Sequence, residues 1–135
     1  MGKDSDGRDV GVWIYGGLSN KMIPVNRNTN NNKVYINGGN RIQTVYGGSS
    51  EMTSDSVSNS VVIDGKDVHV IQNVYGGYTN SSEKKLESNS VVIKNGTIDQ
   101  SVIGAYTPRG VAKANSVTIE GGTIGKDVRG SYAEG

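Results

Sequence analysis

Two short phrases alternate along this chain, and their alternation constrains the fold more than any other feature. The first reads Ile14-Tyr15-Gly16-Gly17, Val45-Tyr46-Gly47-Gly48, Val74-Tyr75-Gly76-Gly77, Val102-Ile103-Gly104-Ala105 and Val128-Arg129-Gly130-Ser131, at steps of 31, 29, 28 and 26 residues. The second reads Asn32-Lys33-Val34-Tyr35-Ile36, Asn59-Ser60-Val61-Val62-Ile63, Asn89-Ser90-Val91-Val92-Ile93 and Asn115-Ser116-Val117-Thr118-Ile119. A Gly-bearing corner follows each: Asn37-Gly38-Gly39, Asp64-Gly65-Lys66, Lys94-Asn95-Gly96 and Glu120-Gly121-Gly122. Strict alternation of this kind marks a repeat array of about four units.

Each unit reads as strands and turns. Val-x-Ile has the period of two that places alternate side chains on one face of a strand, and its β-branched residues suit a pleated surface. A third apolar position, Ile42, Val70, Ile98 and Ile124, precedes each recurrence of the first phrase. No segment has the 3.6-residue period of a helix. The Gly pairs and Asn-Gly are expected to supply the positive φ of sharp corners. The segments between the phrases, Ser19 to Asn31, Ser49 to Ser58, Thr79 to Ser88 and Thr107 to Ala114, are polar and vary in length. They are expected to be exposed loops that absorb the drift in repeat length.

One coil per repeat in a parallel β-helix would stack equivalent residues about 4.8 Å apart. Val34, Val61, Val91 and Val117 would then form one inward column, and Ile36, Ile63, Ile93 and Ile119 another. Ile14, Val45, Val74, Val102 and Val128 would line a further face. Asn32, Asn59, Asn89 and Asn115 would form an amide ladder bonded up and down the column. At the corner, Asn37, Asp64, Lys94 and Glu120 would stack, with charges that alternate in sign over the last three. The expected fold is therefore all-β, a parallel β-helix (β-solenoid) of about four coils over 11–135, preceded by a polar, disordered tail over 1–10. The alternative is an antiparallel sandwich, prism or barrel built from hairpins such as Val92 to Ile98 around Asn95-Gly96.

Composition narrows the chemistry. The 135 residues suit one domain, and a net charge of +1 argues against nucleic acid held by a basic patch. The absence of Cys excludes disulfides, Cys-ligated zinc and a Cys nucleophile, and a single His, His69, excludes a multi-His metal site. No stretch approaches the ~18 apolar residues of a membrane span, so no membrane insertion by this chain is expected. Residues 1–9 have no apolar core of a signal peptide. Asp4, Asp6 and Asp9 resemble a calcium loop only faintly, because Gly7 comes one step early and no Glu follows in register.

The combination Val-Tyr-Gly-Gly-Tyr, a polar loop, Asn-Ser-Val-x-Ile and x-Gly-Gly-Thr-Ile resembles the repeats of bacterial surface proteins. These are autotransporter passenger domains and related β-helical adhesins, and the best copies run from Val74 to Ile98 and from Val102 to Ile124. The resemblance covers about Gly11 to Gly135 and implies an extracellular or cell-surface location and a structural or adhesive role. It departs from such passengers in having only about four coils and no translocator barrel, and it brings no catalytic residue.

Candidate contact residues come from the columns. Tyr15, Tyr46 and Tyr75 share one position, and Tyr78, Tyr106 and Tyr132 share another. Such rings stack on one another within the solenoid, and their flat faces also suit sugars or protein partners. Tyr35, Val62 and Val92, with Thr118, lie between the inward columns and should form an outward apolar stripe. Self-association is expected through this stripe or by continuing the stack end to end, and a host-surface protein or glycan is the other candidate partner. The Gly pairs do not read as a phosphate cradle, which needs a following helix. Asp64 and Glu120 would sit two rungs apart with Lys94 between, so no acidic pair suits a glycosidase. His69 reads as an outward surface residue. No cofactor site is expected, and an enzyme, a carbohydrate-active lyase or hydrolase on a β-helix, is the alternative to the adhesive reading; a phage tail-fibre segment shares the physics of the latter.

Overall fold

The computed structural model describes residues 11–19, 29–50, 55–80 and 82–133. Residues 1–10, and with them the polar tail and Asp4, Asp6 and Asp9, lie outside the described residues. Every strand pairing among the described residues is parallel, and no helix occurs among them. The chain is a β-solenoid of about four turns.

Three faces repeat from coil to coil. The first carries Val12–Ser19, Ile42–Ser50, Val74–Thr79 and Val102–Thr107, followed by Val128–Arg129 and Tyr132–Ala133. The second carries Thr29–Asn30, Ser56–Val57, Ser82–Glu87 and Arg109–Lys113. The third carries Lys33–Ile36, Ser60–Val70, Ser90–Ile98 and Ser116–Ile119, with Thr123–Ile124 completing the last.

The inward columns are those the period of two predicts. Val34, Val61, Val91 and Val117 are in register, as are Ile36, Ile63, Ile93 and Ile119. Ile14, Val45, Val74, Val102 and Val128 form the column of the first face. Ile42, Val70, Ile98 and Ile124 form the column that closes the third. The middle rungs are fully buried; of the end rungs Ile14, Val34, Val117 and Ile124 are partly buried against the core, and Ile119 and Val128 are exposed. Burying each such side chain contributes roughly 1.5–3 kcal/mol.

The amide ladder is present and continuous. Nδ2 of Asn32 donates to Oδ1 of Asn59 at 2.9 Å, Asn59 to Asn89 at 3.0 Å, and Asn89 to Asn115 at 3.0 Å. The backbone N–H groups of Asn32, Asn59 and Asn89 donate to the same three oxygens. At the far end Nδ2 of Asn115 donates to Oγ of Ser131 at 3.2 Å. A residue with left-handed backbone precedes each ladder Asn: Asn31, Ser58, Ser88 and Ala114, with φ between 55° and 60°. That kink makes the corner between the second and third faces.

Three expectations need correction. The segments between the phrases are not plain loops. Their ends, Ser50, Thr79 and Thr107, are buried, and they carry the four-stranded parallel sheet of the second face. Within it Ser56 and Leu86 are fully buried. The ladder explains this order. The Nδ2 groups of Asn59, Asn89 and Asn115 also donate to the carbonyls of Thr29, Ser56 and Leu86, one coil back, at 2.6, 2.9 and 2.8 Å. A strand must be there to present them.

The Gly pairs of the first phrase are not corners. They lie inside strands without positive φ, and among the described residues the left-handed glycines are Gly39, Gly96 and Gly122 of the third-face corners. The pairs are glycine because of close approach. A Cβ on Gly47 would meet the carbonyl oxygen of Gly76, and one on Gly48 would meet the side-chain amide of Asn59. The second Gly of each pair leaves the space the ladder amide occupies, and the first lets the next coil's backbone approach.

The alternating charge column does not form as expected. The register slips after Ile63, so Asp64 lies opposite Asn95 rather than Lys94. This corner of the second coil, from Ile63 to Val70, is longer than the matching stretch from Ile93 to Ile98, and Val68 within it is buried in the core. Asn95-Gly96 is likewise no hairpin turn: Ser90–Ile98 continues through it as one strand, paired in parallel with its neighbours.

Candidate functional site

The tyrosines are brought together on the outside of the first face. In each strand the Val turns inward, so the next residue turns out. Tyr15, Tyr46 and Tyr75 are in register, and so are Tyr78, Tyr106 and Tyr132. Rings stack at 4.8 Å between Tyr15 and Tyr46 and at 5.2 Å between Tyr46 and Tyr75. The second column stacks at 5.2 Å between Tyr78 and Tyr106 and at 5.4 Å between Tyr106 and Tyr132. In the coil that contains both, Tyr75 meets Tyr78 edge-on, with centroids 5.2 Å apart. Trp13 joins the near end at 6.3 Å from Tyr46. Seven of the eight aromatic residues of the chain therefore form one ridge that steps sideways by one column at the third coil.

The ridge has an electrostatic consequence. Burial, reinforced by the neighbouring phenols of Tyr15, Tyr75 and Tyr78, holds the Tyr46 hydroxyl protonated well above the ordinary tyrosine range. Tyr75 is raised in the same way by burial and by Tyr78, opposed by the hydrogen bond from Asn73.

The sideways step leaves a groove of about 300 Å³ on the side where the first column stops. Beyond Tyr75 that column continues as Ile103 and then Arg129, neither of them a ring. Ile103 and Tyr75 line the groove with Tyr106 and Tyr132 on one side and Asn73, Ser101 and Asp127 on the other. The polar side is itself a column. Oδ1 of Asn73 accepts from the backbone N–H of Ser101 at 2.9 Å, and Oγ of Ser101 accepts from that of Asp127 at 3.3 Å. Nδ2 of Asn73 donates to the Tyr75 hydroxyl at 3.2 Å. Arg129 closes the end, with Nη2 3.3 Å from Oδ2 of Asp127 and its guanidinium 4.7 Å over the Tyr132 ring.

Tyr35, Val62 and Val92 do not join the ridge. They lie in register on the third face with Thr118, as the outward stripe expected. Tyr35 is 62% exposed, and its hydroxyl donates to Oδ2 of Asp64 at 3.2 Å. His69 is also on the outside, where Nε2 lies 2.8 Å from Oδ2 of Asp99 in the next coil. The sequence reading missed that pair. It also missed Asn73, Ser101, Asp127 and Arg129, although aligning the residue before each first-phrase Val would have placed Asn73, Ser101 and Asp127 in one column. No group of His, Cys, Asp and Glu among the described residues could hold a metal ion.

Fold and surface together define a class: a parallel β-solenoid that carries nearly all its aromatic side chains outside its core. Searches for a matching protein family, curated protein or solved structure find none.

Proposed function

We propose that the chain is a structural and adhesive module of a bacterial cell-surface or secreted protein, a rigid spine whose tyrosine ridge is its contact face. The observation that carries this reading is the ridge itself. The core is filled by Val, Ile and Leu, while the rings run across the coils on the outside. Flat amphipathic rings on a rigid support give large contact area at low entropic cost, which suits protein and glycan partners. The resemblance to adhesin repeats and the absence of Cys agree with this reading. The stripe of Tyr35, Val62 and Val92 is then a second surface, for pairing between copies.

The test is adhesion. Beads coated with the full chain are offered to animal cells and to immobilised matrix glycoproteins, beside a hydrolysis assay on soluble polysaccharides. Binding that falls when Tyr15 and Tyr78 are replaced by Ser in a chain that still melts cooperatively supports the reading. Polysaccharide turnover without adhesion would replace it with the enzyme reading.

A further inference from the structure

We propose that the groove between Tyr75 and Arg129 binds the ring of a neutral pyranose sugar; this deepens the adhesive reading above and names a ligand for one part of the ridge. The groove lies over the rung of the first aromatic column where the smaller Ile103 replaces a ring. Tyr75 stacks on Tyr46 through one ring face; toward the next coil its column neighbour is Ile103, which is 8% exposed, and the Tyr106 ring stands edge-on with its centroid 6.1 Å away. Consecutive rungs lie about 4.8 Å apart, which is also a comfortable separation for a flat ring on an aromatic face. The space of about 300 Å³ is at the lower bound of small-molecule sites and suits one or two sugar rings.

The flanks decide between a sugar and another flat group. An aromatic side chain from a partner would fill the rung but would leave the polar column beside it unmatched. A pyranose presents an apolar face to Tyr75 and Ile103 while its hydroxyls radiate outward. The groove supplies partners of both kinds. Ser101 retains its O–H, Asn73 a second amide proton, Asp127 a second carboxylate oxygen and Arg129 further N–H groups, each beyond the bonds described above. Asp127 and Arg129 sit against each other, so the charges in the groove balance. That balance favours a neutral polyol over phosphate or a carboxylate. Arg129 is held from two sides, by Asp127 and by the Tyr132 ring, and is therefore set in place before a ligand arrives.

The test uses the full chain titrated with methyl glycosides of glucose, galactose, mannose and N-acetylglucosamine and their β-linked disaccharides, followed by saturation-transfer NMR and calorimetry. p-Cresol and inorganic phosphate serve as competing probes. At least one neutral sugar should bind saturably, and Tyr75→Ala should weaken it about tenfold or more. Because Tyr75→Ala also removes ring stacking, the decisive variant is Ile103→Tyr, which completes the column. It should abolish sugar binding while the melting temperature holds or rises. Lys94→Ala, at a remote exposed corner, should bind as the parent does. The proposal is overturned if no sugar in the panel binds, if Ile103→Tyr binds sugar undiminished, or if only p-cresol or phosphate competes for the groove. A chain that adheres through its ridge yet binds no sugar would remove this inference and leave the adhesive reading standing. Sugar binding without adhesion would do the reverse.

Discussion

Asn59 and Asn89 are 30 residues apart in the chain, yet one oxygen of Asn89 receives both the side-chain amide and the backbone N–H of Asn59, each at 3.0 Å. Both residues are fully buried. The same amide of Asn59 reaches back to the carbonyl of Thr29 at 2.6 Å, so one side chain fastens three consecutive coils. Asn59→Ala should leave a backbone donor, two acceptors and a neighbouring amide without partners. We expect a loss of about 3 kcal/mol or more, read from urea unfolding. Asn59→Asp should be at least as damaging, since a carboxylate cannot donate to Asn89 and would be buried as a charge. A loss under about 1 kcal/mol in both would show that the ladder contributes little.

Gly48 tests the reason for the Gly pairs. Gly48→Ala places a methyl group against the Asn59 amide and should cost about 2 kcal/mol or more, whereas Gly38→Ala, with nothing within 4 Å of the added atom, should stay within about 0.5 kcal/mol of the parent. Equal effects at the two positions would count against close approach as the cause.

Ile93 is fully buried between Ile63 and Ile119. Ile93→Asp should unfold the chain, because the carboxylate would have no partner there, while Ile93→Val should cost only about 0.5–1.5 kcal/mol. Circular dichroism melts separate the two. An unchanged melting temperature for Ile93→Asp would mean that this column does not face the core.

These columns were legible in the sequence because strands impose a period of two and coils impose a fixed register. Val61, Ile63, Val91 and Ile93 could be placed from spacing alone, and so could the ladder Asn residues. Leu86 could not. Its strand shares no phrase with its neighbours, and Leu86 stacks on Ser56 and Ser56 on Thr29, so the column has no common residue type. Val68 escaped because it belongs to the lengthened corner of one coil. The glycines misled for a physical reason: Gly signals either positive φ or absent volume, and only the positions of the neighbouring coil's backbone and of the Asn side chains tell which. The groove was illegible because it arises where Tyr gives way to Ile103, a break in the pattern rather than an instance of it.

The phenol of Tyr46 makes stability depend on alkaline pH. Its folded value is raised above the unfolded value of about 10, so the folded state keeps the proton that the unfolded state gives up. Its contribution is complete below about pH 10 and is lost as pH rises from there toward the folded value, at up to ~1.4 kcal/mol per pH unit for one such group. Tyr75 acts in the same direction. Denaturation midpoints should therefore hold steady from neutrality to about pH 9 and then fall. Tyr46→Phe should fall less steeply. Parallel curves for parent and variant would indicate that the ring is not shielded as described.

The outward stripe makes a separate prediction. Val62→Lys combined with Val92→Lys puts two stacked positive charges between Tyr35 and Thr118 on the third face. Light scattering over a wide concentration range should show parent oligomers that the double variant loses, with its sheet signal retained. A parent that stays monomeric throughout would remove the stripe as a pairing surface.

The amide ladder also has a direction. Asn59 and Asn89 each give a proton to the next coil and receive one from the coil before, so each repeat ends with the same donor that the following repeat is built to accept. Duplicating a whole coil by recombination would join donor to acceptor at both seams, wherever in the repeat the break fell. A partial coil that put another residue in the place of a ladder Asn would strand an amide on each side. Whole turns can therefore be gained or lost at little energetic penalty, and the smaller length changes the chain carries, such as the longer corner at Val68, fall where they leave the ladder in step.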